Sequence, residues 1–169
     1  MPFLILGGLF LALFLLVKNV GAFTTSPGKP SLPTGTTNVP YADIILMSSR
    51  TWGVNTALIN AVIRTESNFD PNAISGKNCY GLMQVSPMVA QDFGQVKNWQ
   101  NPTEIELAGL LNPQTNINLG TRLLSKLLGK YDFDTAIQMY NVGETGFKNG
   151  KRAAGYLAKV KGFYNAYQS

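Results

Sequence analysis

Apolar residues recur three and four positions apart from residue 41 to the end of the chain, as they do along one face of an α-helix. The group Leu58, Ile59, Val62 and Ile63 shows this spacing most clearly, and Asn55 precedes it where a helix N-cap is expected. No segment of this region alternates apolar and polar residues over the length that a half-exposed strand needs. The pattern therefore predicts an all-α (mainly α) domain over residues 41–169.

Capping residues and helix breakers divide this region into separate helices. Ser86 stands before a proline, Thr103 opens a Thr-x-x-Glu capping box, and Asn112 again stands before a proline. Gly129 is expected to end the longest helix, and Asp134 to cap the next one. The predicted helices cover residues 42–51, 56–67, 87–93, 104–111, 113–128, a segment after Asp134 that holds Tyr140, and 151–167.

The first residues of the chain are apolar and uncharged. Residues 2–17 carry no charged side chain, Lys18 and an asparagine interrupt the run, and residues 20–23 resume it. We expect residues 1–23 to form a transmembrane anchor, an uncleaved signal-like segment. A cleaved signal peptide is the alternative, because the Val-Gly-Ala sequence from residue 20 suits a cleavage site. Since the lysines follow the apolar run, the membrane orientation stays open.

A short region of different composition separates this apolar segment from the helical domain. Residues 24–40 are rich in proline, threonine and glycine, which is typical of an extended linker and not of a packed core. The expected organisation is therefore an anchor at 1–23, a linker at 24–40 and a catalytic domain at 41–169.

Composition removes several classes of site. The chain has no histidine and one cysteine, Cys79, so His-based triads, an intrachain disulfide and most zinc sites are excluded. We accordingly expect no metal and no cofactor. The net charge of +5 favours an anionic partner such as nucleic acid, anionic lipid or a carboxylate-rich wall polymer. Because the basic residues form neither a dense run nor an aromatic ladder, we expect no nucleic-acid partner.

Glu66 is the candidate catalytic group. At about 3.6 residues per turn, it falls in the middle of the arc that the apolar residues of its helix occupy. It also lies in the last turn, where the helix dipole disfavours a negative charge. Both effects raise the pKa of a carboxyl, as a general acid working near neutral pH requires. The alternative is an ordinary surface acid beyond a frayed helix end.

Five short blocks give Glu66 companions. They read ESNFDPNA from Glu66, YGLMQVSP from Tyr80, NPQTNINLG from Asn112, YNVG from Tyr140 and GYLAKV from Gly155. In order and spacing they resemble the signature blocks of the soluble-lytic-transglycosylase family, whose fold is similar to that of goose-type lysozyme. The resemblance covers roughly residues 54–167, and it implies a lysozyme-like catalytic domain.

The resemblance also implies a reaction and a partner. Family members cleave the β-1,4 bond from N-acetylmuramic acid to N-acetylglucosamine in peptidoglycan without water, leaving a 1,6-anhydro end. One carboxyl acts as acid and then as base, so Glu66 would suffice without the second carboxylate that most glycosidases use. The glycan strand is the expected substrate.

The same resemblance implies a substrate-binding set around the acid. Tyr140 matches the tyrosine whose hydroxyl orients the carboxyl, and Ser75 matches a serine facing the acetamido group, unless Ser75 is only a turn hydroxyl. Asn141 is more readily explained as a tie between loop backbone groups. For Met83 and Tyr156, packing in the core is the alternative to a contact with substrate. The full expected set is Ser75, Met83, Gln84, Tyr140, Asn141 and Tyr156.

Two other functions remain open. A hydrolytic goose-type lysozyme would need a water-positioning carboxylate such as Asp70, although Asp70-Pro71 reads as a turn. A non-catalytic peptidoglycan-binding tether would need no buried acid. Small enzymes of this family serve phage entry and wall-spanning machines. We therefore expect a membrane-anchored enzyme acting in the periplasm or cell wall, with virion or secretion-machine proteins as further partners.

Overall fold

Eight helices joined by loops make up residues 39–169, the part of the chain that the computed structural model describes. Two isolated antiparallel bridges, Ile74 to Tyr80 and Tyr80 to Val85, are the extended pairings within this part. The all-α prediction is therefore confirmed. The helices are α1 (Ala42–Trp52), α2 (Thr56–Glu66), α3 (Pro87–Asp92), α4 (Glu104–Leu111), α5 (Pro113–Leu128), α6 (Phe133–Val142), α7 (Glu144–Lys148) and α8 (Ala154–Gln168).

The predicted anchor at residues 1–23 and residues 24–38 of the predicted linker lie outside the described residues. Val39, within the predicted linker, already packs against the core of the domain. None of α1 to α8 combines the length and the apolar character that a membrane-spanning helix needs.

Local capping chemistry sets the starts of α2, α3, α4 and α5 as the sequence indicated. Asn55, Ser86 and Asn112 each accept a backbone N–H of the first turn of their helix. Thr103 and Glu106 form the reciprocal capping box. These side chains satisfy N–H groups that would otherwise lack a partner, and each such cap stabilises its helix by about 1 kcal/mol.

Three helix predictions need correction. The cap of α6 is Asp132, which accepts from the N–H of Thr135, and Asp134 lies inside the first turn. The helix α7 was not predicted, because five residues are too few to show a helical period. The last helix begins at Ala154 and not at residue 151. Its start depends on a distant contact, since the Ala153 N–H donates to the Gln138 side chain at 3.1 Å.

The helix α2 lies at the centre of the domain and packs chiefly against α8 and α1. Its residues from Ala57 to Ile63 are all buried, so it is enclosed on every side and not on one face only. A second layer forms where α5 packs against α1, α4 and α6. Burial of so much apolar surface stabilises α2, and Glu66 is its last residue.

The buried side chain of Asn116 joins α5 to the loop before α3. Its Oδ1 accepts from the Met83 N–H at 2.7 Å, and its Nδ2 donates to the carbonyl oxygens of Tyr80 and Leu110, each at 2.7 Å. Gly81 has a φ of 69°, and a Cβ there would lie 2.6 Å from Asn116 Nδ2. The close approach of loop and helix therefore requires glycine at this position.

Replacing Asn116 by alanine should destabilise the domain by about 3 kcal/mol, because one N–H and two C=O groups lose their partner inside the protein. The measurement is urea unfolding of the variant and the wild type. Asn165→Ala, at an exposed position of α8, is the control and should change the stability by less than about 0.5 kcal/mol. Equal unfolding midpoints for Asn116→Ala and the control would contradict the role of this clamp.

Candidate active site

Glu66 ends α2 in a crowded and largely dehydrated position. Burial raises the pKa of its carboxyl from the ordinary 4.5 to about 7. A hydrogen bond from the Tyr156 hydroxyl to Oε1 at 2.7 Å and the positive charge of Lys77 lower the pKa, but they do not cancel the effect of burial. A carboxyl with these properties exists in both protonation states near neutral pH, as an acid/base catalyst needs.

The end of α2 is fixed, so the frayed-helix alternative is wrong. The helix includes Glu66, and the next N–H, that of Ser67, donates to Ile63 O at 3.0 Å. The Ser67 hydroxyl donates to the Leu82 carbonyl oxygen at 2.9 Å and so joins the helix end to the following loop. Asn68 and Phe69 both have positive φ, which turns the chain away directly after the acid. Sequence analysis gave Ser67 no role, although it follows the acid directly.

The two tyrosines have different hydrogen-bond partners. The Tyr140 hydroxyl donates to the Met83 carbonyl oxygen at 2.9 Å, whereas the Tyr156 hydroxyl donates to Glu66. The expectation that Tyr140 orients the carboxyl is therefore wrong. The reason is tertiary: α8 packs along α2 and brings Tyr156 to the acid, while Tyr140 on α6 meets the loop carbonyl. Burial holds the pKa of both hydroxyls well above 10, so both remain donors.

Ser75 and Gln84 shape the loop beside the acid. The Ser75 hydroxyl oxygen accepts from the Cys79 N–H at 3.2 Å, which agrees with a turn role and leaves its contact with substrate a prediction. Gln84 has a φ of 49°, and its Nε2 donates to the carbonyl oxygens of Ala73 and Gly81 at 3.1 and 3.0 Å. Its amide nitrogen is therefore used within the loop, and its amide oxygen is the atom suited to a sugar hydroxyl.

Met83 does not line the site. Its side chain is fully buried, and a Cβ on Gly120 would lie 2.6 Å from its Sδ. The expectation of a substrate contact is therefore wrong for this residue, and the core-packing alternative is correct. The chain needs Gly120 on α5 to make room for the thioether. What Met83 offers to the site is its carbonyl oxygen, which holds Tyr140.

A cavity of about 600 Å³ opens beside this loop. Cys79, Gln84, Tyr140 and the exposed Asn141 line it, so these side chains share one cleft. Glu144 also lies on its wall, which sequence analysis missed because the short helix α7 was not predicted.

The acids near the cleft differ in their chemistry. Hydrogen bonds from Lys148 at 2.8 Å and Tyr131 at 2.7 Å lower the pKa of Glu144 to about 2, so it stays ionised and cannot act as an acid near neutral pH. Asp70 is exposed, and its Oδ1 accepts from the Asn72 N–H at 2.9 Å. The turn role predicted for Asp70 is confirmed. Within residues 39–169, no group of three or more His, Cys, Asp or Glu residues could hold a metal ion.

The chain matches a family of known proteins. The family model "Transglycosylase SLT domain" matches residues 43–162, and the chain therefore belongs to this family. It is 37% identical over 93 residues to the membrane-bound lytic murein transglycosylase C of Serratia proteamaculans and to that of Cronobacter sakazakii. Each match covers 54% of this chain and 25% of the relative, so the chain spans about a quarter of the length of these relatives.

Solved structures agree on the fold. The 70 kDa soluble lytic transglycosylase from Escherichia coli matches with a TM-score of 0.53 and 25% identity, over 75% of this chain and 22% of its own. A complex of the 70 kDa soluble lytic transglycosylase with bulgecin A matches with a TM-score of 0.56 and 26% identity, over 76% of this chain and 24% of that one. The lysozyme-like fold expected from the sequence is confirmed.

The raised pKa of Glu66 should make the stability of the protein depend on pH. Between pH 4.5 and about 7 the folded state keeps a proton that the unfolded state has lost, so the free energy of unfolding falls as the pH rises. Glu66→Gln stays neutral at all these pH values. The free energy of unfolding of Glu66→Gln minus that of the wild type should therefore be larger at pH 8 than at pH 4, by up to roughly 3 kcal/mol.

The measurement is urea unfolding of both proteins at pH 4 and pH 8. Glu104→Gln, at an exposed position in the first turn of α4, is the control for the loss of one negative charge. A stability difference between Glu66→Gln and the wild type that is the same at both pH values would show that the carboxyl is not destabilised by burial.

Proposed function

We propose that this domain is a peptidoglycan lytic transglycosylase that cleaves the β-1,4 bond between N-acetylmuramic acid and N-acetylglucosamine without water. The observation that carries the proposal is the burial of the Glu66 carboxyl, whose pKa of about 7 lets it alternate between acid and base. The family to which the chain belongs and the printed names of its relatives support the same reaction.

The reaction needs two proton transfers at one carboxyl. Protonated Glu66 donates to the glycosidic oxygen as the bond to C1 breaks, and the acetamido oxygen of the substrate stabilises the positive carbon. The carboxylate then takes the proton of the C6 hydroxyl while that oxygen bonds to C1. The product is a 1,6-anhydro sugar, and Glu66 is protonated again.

Tyr156 is proposed to position the acid during both transfers. Its hydroxyl donates to one carboxyl oxygen, so the other oxygen is the one free to carry the catalytic proton. This hydrogen bond also favours the carboxylate, which lowers the energy of the state formed after the first transfer. The substrate-binding roles proposed for Gln84 and Asn141 rest on their places on the wall of the cleft. The role proposed for Ser75 rests on the family resemblance, since its hydroxyl accepts from the Cys79 N–H within the neighbouring loop.

We further propose that the enzyme is held at a membrane by residues 1–23 and acts on the wall from there, as part of a virion or of a wall-spanning machine. The support is the uncharged run at residues 2–17 and the proline-rich linker at 24–40. The names of relatives described as membrane-bound are consistent with this placement. Membrane fractionation of the intact chain tests it, and recovery in the soluble fraction alone would contradict it.

Digestion of purified sacculi, followed by mass analysis, tests the reaction. The wild type should release products whose mass is one water lower than that of the hydrolysis products with reducing ends. Glu66→Gln should lose activity by about 10² to 10⁴-fold. Glu104→Gln is the matched control and should retain activity. Reducing ends that carry an added water would identify a hydrolytic lysozyme instead. Undiminished activity in Glu66→Gln would remove this residue from the mechanism and favour a binding role.

The dependence of activity on pH distinguishes the roles of Tyr156 and Tyr140. Activity should fall as the pH rises through about 7, because the first step needs protonated Glu66. Tyr156→Phe removes a hydrogen bond that lowers this pKa, so the high-pH limb should move upward. Tyr140→Phe is the comparison variant, and it should leave the limb in place because its hydroxyl is bonded to Met83 O. If the high-pH limb of the activity profile moves only in Tyr140→Phe, Tyr140 and not Tyr156 is the tyrosine that acts on the Glu66 carboxyl.

A further inference from the structure

A second cavity of about 330 Å³ lies next to the cleft and is not used by the mechanism above. Ser86 and Met88 line both cavities, so the two lie side by side on the surface. Trp99, Lys77 and Pro102 are among the other residues of its wall. A glycan strand that passes through the cleft can therefore continue into this space.

The exposed Trp99 ring is the main feature of the second cavity. The residue is 40% exposed although its loop is firmly held. Its N–H donates to Gln91 Oε1 at 2.8 Å, the Lys97 N–H donates to Glu106 Oε1 at 2.8 Å, and Val96 is buried in the core. The ring is therefore presented by a fixed loop, which lowers the entropy cost of binding a ligand against it.

The wall combines this aromatic ring with a positive charge. Lys77 is exposed, lines the second cavity, and lies near enough to Glu66 for its charge to lower the pKa of that carboxyl. Met88, which is 49% exposed, adds apolar surface beside the ring. An apolar face with one cation at its side suits a sugar ring that carries an acidic group, since the C–H face packs on the aromatic and the carboxylate meets the lysine.

Resting on the proposed function, we propose that the second cavity is an outer subsite for one sugar unit of the strand, with Trp99 as its stacking platform and Lys77 as the partner of a carboxylate on the strand. The volume lies at the lower end of the range for small-ligand pockets, which suits one ring and not several. The occupant is thus an acidic glycan, and the carboxylate belongs either to the peptide stem or to the lactyl group.

Binding is measured in the full chain carrying Glu66→Gln, so that it does not depend on turnover. The probes are N-acetylglucosamine oligomers, strands stripped of peptide, and peptide-bearing strands. Trp99→Ala should weaken binding of all three by roughly 2- to 10-fold, and Trp99→Phe should restore most of it. Ile105→Ala, at an 85% exposed position that lines neither cavity, is the control and should bind as its parent does. Bound glycan should also shield Trp99 from acrylamide quenching.

Lys77→Met should weaken binding of the acidic strands only, by roughly 2- to 5-fold, and the difference should shrink at high salt. A loss confined to peptide-bearing strands assigns the carboxylate to the stem, and a loss that includes stripped strands assigns it to the lactyl group. Unchanged binding in Trp99→Ala, or an equal loss in Lys77→Met on neutral oligomers, would overturn the subsite. Neither result would touch the proposed reaction, which is tested by the products of the active enzyme.

Discussion

The side-chain amide of Asn116 satisfies three backbone groups at once, and the geometry of the cleft follows from that arrangement. By fixing the Met83 N–H and the Tyr80 carbonyl, it sets the course of the loop between them. The carbonyl of Met83 then faces Tyr140, and that of Leu82 faces Ser67. The loop is therefore attached to α5, α6 and the end of α2. Because the bonds of Asn116 to the Met83 N–H and the Leu110 carbonyl are buried, breaking them would leave polar groups without a partner away from water.

The position of Glu66 shows how the fold can impose a chemical property on a residue. Burial raises the pKa of the carboxyl, while the hydrogen bond from Tyr156 and the charge of Lys77 lower it. The balance falls near 7, where proton donation and proton removal are both accessible. The raised pKa lowers the free energy of unfolding at neutral pH, because the enclosed helix that ends in Glu66 holds the carboxyl away from water.

The features that sequence reasoning predicted are those with local causes. The caps at Ser86, Thr103 and Asn112 depend on bonds within one helical turn, so their residues reveal them directly. Asp132 and Asp134 are both suitable caps two residues apart, and only the backbone course selects the first.

The errors in the site have a different origin. The tyrosine that meets Glu66 depends on how α8 lies along α2, and the burial of Met83 depends on Gly120 of α5. Both are contacts between residues far apart in the chain, which no spacing within a block expresses. The family blocks contain Glu66 and both tyrosines, but they do not state which hydroxyl reaches which acceptor.

Glu144 shows that a carboxylate on the wall of the larger cavity need not be a second acid/base catalyst. Glu144 lies on the wall of the larger cavity, but Lys148 and Tyr131 hold its pKa near 2, so it has no proton to donate at neutral pH. Glu66 differs, because burial raises its pKa and it accepts one hydrogen bond, from the Tyr156 hydroxyl. A reaction that passes its proton out and back through one group needs this asymmetry, because the acid and the base are the same carboxyl. Glu144 is therefore a fixed negative charge on the cavity wall, and the proposed reaction assigns proton transfer to Glu66.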